Sequence, residues 1–333
     1  MRYIIYGAGA VGGAVGVRLS RAGFDVLLIA RGAQLAAIQR DGLRLVTPAE
    51  SFTLALPAVG GPAEIAFRDG DVVLLTVKSQ DTAAALDDLR LVAGDGLPIV
   101  CCQNGVENER AALRRFARVY GMLVLMPATF VEAGVVEVDA GPRHGIFDLG
   151  RYPDGVDDLS AAIAADFEAA GFACRAVAAI MPWKYTKLRL NLANAVDAVC
   201  GPGAEARDLK DRLRQEIEAC FAAAAVNPIP VADFNSRDAV RFDLDPERRR
   251  AQRRPAGGGS TWQSLARGAG SVEADYLNGE VVLLGRLHGV PTPVNELFQL
   301  LAHRLGRAGS EPGSVPVAEV RRLLAERAAA PRS

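Results

Sequence analysis

Six residues, Gly7-Ala8-Gly9-Ala10-Val11-Gly12, constrain this chain more than any other stretch. They follow the strand-like run Arg2-Tyr3-Ile4-Ile5-Tyr6 and open a helical pattern through Val15, Val17 and Leu19 that Ala22-Gly23 ends. A G-x-G-x-x-G between strand and helix makes a tight turn, lets the backbone approach a pyrophosphate and packs the helix closely on its strand. The helix N-terminus adds free N–H groups and a partial positive charge. Glycines cluster in turns for many reasons, so the flanks matter: Asp25 to Arg31 reads as a second buried strand, which completes the beginning of a βαβ unit. The six residues are therefore expected to hold a dinucleotide, with a structural turn as the alternative.

The end of the second strand bears on which dinucleotide. An acidic residue there would accept hydrogen bonds from the ribose hydroxyls of NAD, whereas Arg31 followed by Gly32 suits a 2′-phosphate. NADP (NADPH) is the expected cofactor, and a solvated arginine at the strand end is the competing reading.

At 333 residues, half of them hydrophobic, the chain is long enough for two domains with their own cores. Its formal net charge of −1 gives no reason to expect nucleic acid or a membrane surface as a partner. Glycines interrupt the apolar run by residue 7, and no later segment approaches the ~18 apolar residues of a membrane span. A cytoplasmic protein is expected. The five cysteines form no C-x-x-C pair and the three histidines show no metal-ligand spacing, so neither a metal site nor a histidine base is expected.

Further along, Ala33 to Arg40 reads as helix, and Leu43 to Val46 with Phe52 to Leu56 as short strands. The continuous apolar run Asp71 to Val77 is a buried parallel strand that delivers Lys78-Ser79-Gln80 to its C-terminal end, where open α/β sheets bind ligands. Pro98 to Cys102 repeats the arrangement and delivers Gln103-Asn104-Gly105, with Asn104 either a ligand contact or a plain turn former. Helix is expected over Glu107 to Phe116 and strand over Val119 to Met126. Val135 to Val138 and Gly145 to Gly150 read as antiparallel partners, Asp157 to Ala170 as helix and Ala173 to Val177 as a last strand. The predicted domains are 1–178, a Rossmann-type α/β domain, and 179–333, all-α.

The first helix of the second domain is expected from Trp183 to about Val199. It is apolar except for Trp183, Lys187, Asn191 and Asn194, which share a face at i, i+4, i+8 and i+11. Another helix spans 204 to 225. The basic run 247–254 reads as a solvated helix or a flap near an anionic cofactor. Ser271 to Leu287 is predicted as a helix with Glu273 in its first turn, followed by helices over Asn295 to Leu305 and Pro316 to Ala329.

A nicotinamide site that interconverts carbonyl and alcohol needs a proton donor at the oxygen. A lysine ammonium polarises the ketone and donates to the developing alkoxide. Lys187 is the best candidate, and Glu273 is suited to hold it protonated and oriented. A structural ion pair is the competing reading of Lys187.

Several motifs in order then carry a resemblance over nearly the whole chain. They are GAGAVG with Arg31, VKSQ at 77 to 80, QNG at 103 to 105, W-x-x-x-K-x-x-x-N at 183 to 191, STWQSLARG at 260 to 268, EADYLNGE at 273 to 280 and HGVPTPVN at 288 to 295. The chain resembles the ketopantoate reductase (2-dehydropantoate 2-reductase) family, whose helical domain is of the 6-phosphogluconate dehydrogenase-like kind. The resemblance implies an active site in the cleft between two domains and NADPH-dependent reduction of ketopantoate to pantoate, a step toward pantothenate and coenzyme A. It implies Lys187 as general acid and Glu273 as its partner near the nicotinamide ribose. Asn104 and Asn191 would bond cofactor or substrate, Lys78 would lie close to the cofactor, and Ser260-Thr261 would bind the substrate carboxylate or hydroxyl.

The chain departs from the pantoate-pathway pattern at two places: Ala195 stands where a second helix asparagine is expected, with Asn194 one place earlier, and Thr261 replaces a serine. The resemblance implies that both changes touch the substrate pocket rather than the cofactor. The alternatives kept open are a reductase of another bulky 2-keto acid and an NADPH-binding sensor without turnover. A homodimer built through the helical domain is also expected.

Overall fold

The computed structural model describes residues 1–237, 259–268 and 270–329. The chain forms two compact units: one is Met1–Lys184 with a segment that begins at Ile229, the other Tyr185–Pro228 with the chain from Gly259 onward.

The first unit is α/β. In chain order it comprises β1 (Arg2–Tyr6), α1 (Ala10–Arg21), β2 (Asp25–Ile29), α2 (Gly32–Asp41), β3 (Leu43–Val46), β4 (Ser51–Leu54), β5 (Ala58–Val59), β6 (Asp71–Leu75), α3 (Thr82–Val92) and β7 (Ile99–Cys101). There follow α4 (Asn108–Leu113), β8 (Val119–Met122), β9 (Ala128–Glu132), β10 (Val135–Val138), β11 (Leu149–Arg151) and α5 (Asp158–Ala169). The main sheet has the order β11-β8-β7-β6-β1-β2-β5, parallel except for β11 against β8. Strands such as DVVLL and IVC are buried along their whole length, as parallel strands covered on both faces must be. Strand order reverses at β1, where the chain leaves for β2 on one side and β6 lies on the other; this is the topological switch point at which such sheets bind ligands.

A second sheet, β4-β3-β10-β9, covers the outer side of α1. That helix is accordingly buried almost all round, with Val15 and Leu19 in one core with Tyr3, Leu28, Leu43 and Val136. This sheet corrects one expectation. Val135–Val138 does not pair with the stretch after Gly145; it pairs antiparallel with β9 and parallel with β3, while β11 joins the main sheet beside β8. Period-2 patterning marks a strand but not its partner. The expected strand over Ala173 to Val177 is reduced to two isolated bridges, Ile146 with Ala173 and Leu149 with Ala176.

The remaining α-helices among the described residues are α6 (Ile180–Asn191), α7 (Ala193–Cys200), α8 (Arg207–Ala223), α9 (Val231–Arg237), α10 (Ser260–Ala266), α11 (Asn278–His288), α12 (Pro293–Ala308) and α13 (Val317–Ala329). The division between the units falls within α6, after Lys184. In the second unit, Glu216 of α8 caps α12, accepting from the backbone N–H groups of Val294 (2.9 Å) and Asn295 (3.0 Å) and from Asn295 Nδ2 (2.7 Å). These are free donors at a helix start, and a carboxylate is well placed there.

Two helix expectations are modified. The single helix from Trp183 to Val199 is interrupted at Leu192, where the Ala195 N–H reaches back three residues to the Leu192 carbonyl at 3.3 Å. Such a tight turn alters the angular register, so spacing counted across it no longer defines one face. Glu273 does not lie in the first turn of a long helix; it opens a short 3-10 turn, Glu273–Tyr276, which the backbone angles of Leu277 separate from α11. The basic run 247–254 lies outside the described residues. No helix among the described residues is long and apolar enough to cross a membrane.

Candidate active site

The strand ends of the first unit set its chemistry. Tyr6 of β1 pairs with Ile29 of β2 and Leu75 of β6, and Leu75 with Cys101 of β7. Gly7, Ala30, Thr76 and Cys102 therefore emerge level, and the segments that follow share one rim of the sheet.

At the switch point the glycines do separate jobs. Gly7 has φ +114°, and a side chain on it would meet the backbone of Val77 at 2.8 Å. A methyl on Gly12 would stand 2.2 Å from the Gly7 carbonyl and 2.4 Å from Thr76 Oγ1, so only hydrogen lets α1 pack on the turn. Thr76 closes that contact by donating to the carbonyls of Tyr6 (3.0 Å) and Gly7 (2.9 Å). Gly9 differs: nothing lies within 4 Å of where its side chain would be. Gly9 is the N-cap of α1, without a side-chain cap or an acidic residue in the first turn. Ala10, Val11 and Gly12 thus begin a helix whose first N–H groups have no intrahelical acceptor, beside open space at Gly9. Ala8 is tied back to β2, its N–H donating to the Ile29 carbonyl at 3.2 Å.

Arg31 is the N-cap of α2, just beyond β2. Its side chain is exposed and stands 3.7 Å from the Asp81 carboxylate, an ion pair open to water and hence weak. Lys78 follows β6 and is partly exposed at the same rim.

The segment after β7 is held by a buried polar network that motif reading missed. Gln103 Nε2 donates to the Val77 carbonyl (2.7 Å) and to Thr82 Oγ1 (2.8 Å). Thr82 Oγ1 in turn donates to Asn108 Oδ1 (2.9 Å), and Asn108 Nδ2 donates to the Asn104 carbonyl (3.0 Å) and to Ser79 Oγ (3.2 Å). VKSQ and QNG, read separately from sequence, are one connected structure. Lys184, at the start of α6, is 3% exposed and pairs with Glu109, which is fully buried; its Nζ also donates to the Gln103 carbonyl at 3.0 Å. Burial drives the Glu109 carboxyl above the usual carboxylate range, against the pull of the Lys184 ammonium. Amid this network, Asn104 Oδ1 is buried and finds no donor among the described residues.

The other expected residues belong to the second unit. Lys187 and Asn191 lie on α6, Lys187 partly exposed and Asn191 6% exposed. Asn191 Nδ2 is buried with no acceptor among the described residues. Asn194, on α7, is pressed against the start of α10, for a methyl on Gly259 would come within 2.7 Å of its amide. Asn194, Ser260 and Thr261 are thereby brought together. Thr261 is 3% exposed, and Ala195 is also buried. Glu273 is 7% exposed. Trp183, expected on the lysine face, instead belongs to the first unit, tilted against Phe234 with ring centroids 6.1 Å apart and lying under the Arg175 guanidinium. The signal that distinguishes it was available only in part: a tryptophan at a helix start is as readily a packing residue as a site residue.

These residues fit a dinucleotide. The uncapped start of α1 beside open space at Gly9 can take a pyrophosphate, Arg31 and Lys78 add positive charge at the same rim, and Asn104 Oδ1 is a buried acceptor with no donor among the described residues.

Comparison with known proteins agrees with the fold and the motifs. Residues 3–154 match the model of ketopantoate reductase PanE/ApbA, and residues 179–305 match the model of its C-terminal domain. The 2-dehydropantoate 2-reductase of Mesorhizobium japonicum is 30% identical over 332 residues, covering 92% of this chain and 98% of its own. That of Pyrococcus horikoshii is 27% identical over 307 residues, covering 90% and 96%. The crystal structure of a PanE/ApbA family ketopantoate reductase from Ralstonia eutropha superposes with a TM-score of 0.77 at 30% identity, covering 93% of this chain and 99% of that one. D-mandelate dehydrogenase, solved with NADH and anilino(oxo)acetate, shares the fold at 22% identity, with a TM-score of 0.78 and coverage of 93% and 99%. The chain belongs to the ketopantoate reductase PanE/ApbA family of oxidoreductases.

Proposed function

We propose that this protein reduces the 2-keto group of ketopantoate to the hydroxyl of pantoate with NADPH, using Lys187 as the general acid. The observation that carries the reading is that each unit holds a buried amide atom with no partner among the described residues, Asn104 Oδ1 in the first and Asn191 Nδ2 in the second. A buried polar group without a partner is costly unless a ligand completes it. The acceptor in the first unit suits a ligand hydroxyl or amide N–H, and the donor in the second suits a keto or carboxylate oxygen.

NADPH, when bound, supplies the hydride that the keto carbon accepts. The backbone at Gly9 to Gly12 would hold the pyrophosphate, and Lys78 would offset its charge. Arg31, exposed and paired only weakly with Asp81, would hold a 2′-phosphate by a charge-assisted contact. Lys187 places its ammonium at the keto oxygen, stabilises the charge that develops there and gives up one proton, so that C=O becomes CH–OH. Glu273 orients that ammonium. Asn191 bonds the substrate, and Asn194 with Ser260 and Thr261 takes its carboxylate or hydroxyl.

One second reading has an observation of its own. The asparagine after Asn191 stands at 194, packed close to Gly259, and Ala195 is buried; this arrangement favours a different bulky 2-keto acid over ketopantoate. Steady-state turnover on a panel of 2-keto acids, with NADPH and with NADH, separates the two. Highest kcat/KM for ketopantoate with NADPH supports the proposal, a different preferred acid supports the second reading, and preference for NADH removes the role of Arg31.

A further inference from the structure

The Lys184–Glu109 pair is more than a packing detail of the first unit. Its lysine is 3% exposed and its glutamate fully buried, and an ion pair so placed loses in desolvation much of what it gains in attraction. Such a pair is a poor way to add stability and a good way to fix geometry. What it fixes is specific. Lys184 Nζ donates to the Gln103 carbonyl at 3.0 Å, the carbonyl of the peptide group that joins Gln103 to Asn104. The next carbonyl, that of Asn104, is held by Asn108 Nδ2 at 3.0 Å, and the Gln103 side chain is anchored to the Val77 carbonyl and Thr82 Oγ1. Both peptide oxygens flanking the Asn104 α-carbon are gripped, while Asn104 Oδ1 has no donor among the described residues.

We infer that Lys184, with Glu109 holding its ammonium in place, is a positioning residue that aims the Asn104 side chain at the bound cofactor or substrate. This rests on the reading above that Asn104 contacts one of them. Lys184 touches neither; it acts through the Gln103–Asn104 peptide. The same helix carries Lys187 three residues later, yet the two lysines have different work, Lys184 fixing the loop that presents an amide and Lys187 moving a proton.

The test compares the wild type, Asn104→Ala, the charge-neutral double variant Lys184→Met/Glu109→Leu, and the triple variant that combines them. NADPH Kd is measured by fluorescence titration, and kcat and KM are measured with ketopantoate. In whichever quantity Asn104→Ala changes, the double variant is expected to lose a similar factor, about tenfold or more, and the triple to lose no more than either, because residues acting as one unit do not add. Wild-type values in the double variant, losses that multiply in the triple, or an Asn104→Ala variant with no effect would each overturn the inference. Should the double variant fail to fold, Lys184→Arg keeps the charge but moves the donor: the same loss is expected, and wild-type Kd, kcat and KM in that variant would overturn the inference. A wild type that binds NADPH but reduces no keto acid would sink the proposed function alone, and the comparison of NADPH Kd values would still decide the role of Lys184.

Discussion

The sheet rim of the first unit and the helical second unit carry their functional candidates differently. At the rim, hydrogen-bonded register sets position: β1, β2, β6 and β7 end level, so Gly7, Ala30, Thr76 and Cys102 emerge side by side. The candidate groups there are largely backbone, namely the start of α1 and the space at Gly9. In the second unit the candidates are side chains from separate elements, with Lys187 and Asn191 on α6, Asn194 on α7 beyond a break, Ser260 and Thr261 on α10, and Glu273 in a 3-10 turn. The contrast teaches that a parallel sheet turns sequence order into a binding edge, whereas helices do so only once tertiary packing has fixed their rotation.

The comparison makes distinct predictions for each side. The largest effect is expected from removing a side chain in the helical unit. Lys187→Ala should lower kcat by about 10²- to 10⁴-fold, the usual worth of a positioned general acid, with NADPH Kd nearly unchanged. Turnover near wild type in that variant would break the assignment.

At the rim, space rather than side-chain chemistry should decide. Gly12→Val places atoms where even a methyl meets the Gly7 carbonyl at 2.2 Å, so it should destabilise the fold by about 3 kcal/mol or more, seen as a lowered Tm. Gly9→Ala meets nothing within 4 Å, so it should cost at most about 1 kcal/mol of stability while weakening NADPH binding about tenfold. Equal Tm losses in the two variants would remove the distinction drawn between these glycines. Arg31→Ala should weaken NADPH by about tenfold, about 1.4 kcal/mol, and leave NADH unaffected. Parallel losses for both cofactors would show that the arginine does not read the 2′-phosphate.

The smallest predicted effect concerns stability alone. Burial raises the Asp157 pKa, but hydrogen bonds to the carboxylate from the Ser160 N–H and the Tyr120 hydroxyl, with the nearby Arg151 charge, outweigh it and leave the carboxyl below its ordinary value. The folded pKa thus lies beneath the unfolded value of about 3.9, so the stabilisation is present above about pH 4 and is lost as pH falls through the folded pKa. Asp157→Ala should cost about 1 kcal/mol near neutral pH and shrink that acid-side loss, as thermal melts across pH would report.

The contrast also governs what the sequence could reveal. The strand–turn–helix beginning was legible because its glycines answer local steric demands, and the position of Lys78 and Asn104 at the sheet rim was legible because each follows an apolar strand. The second sheet was not: Val135–Val138 showed its period but not its partners, which include β3, far back in the chain. Lys184 escaped notice for a related reason. Nothing in spacing tells a buried lysine paired with a glutamate 75 positions away from a solvated one, and only packing separates it from Lys187. The polar stripe on α6 was visible from its period, but the break at Leu192 and the 3-10 turn at Glu273 depend on backbone angles that composition does not dictate.

The most direct test of the account is product analysis. Purified protein is mixed with NADPH and ketopantoate, and the products are identified and counted by mass spectrometry and by loss of NADPH absorbance. The wild type is expected to form pantoate and NADP in equal amounts, and Lys187→Ala almost none on the same timescale. NADPH that binds but yields no pantoate, or pantoate formed as fast without Lys187, would contradict it.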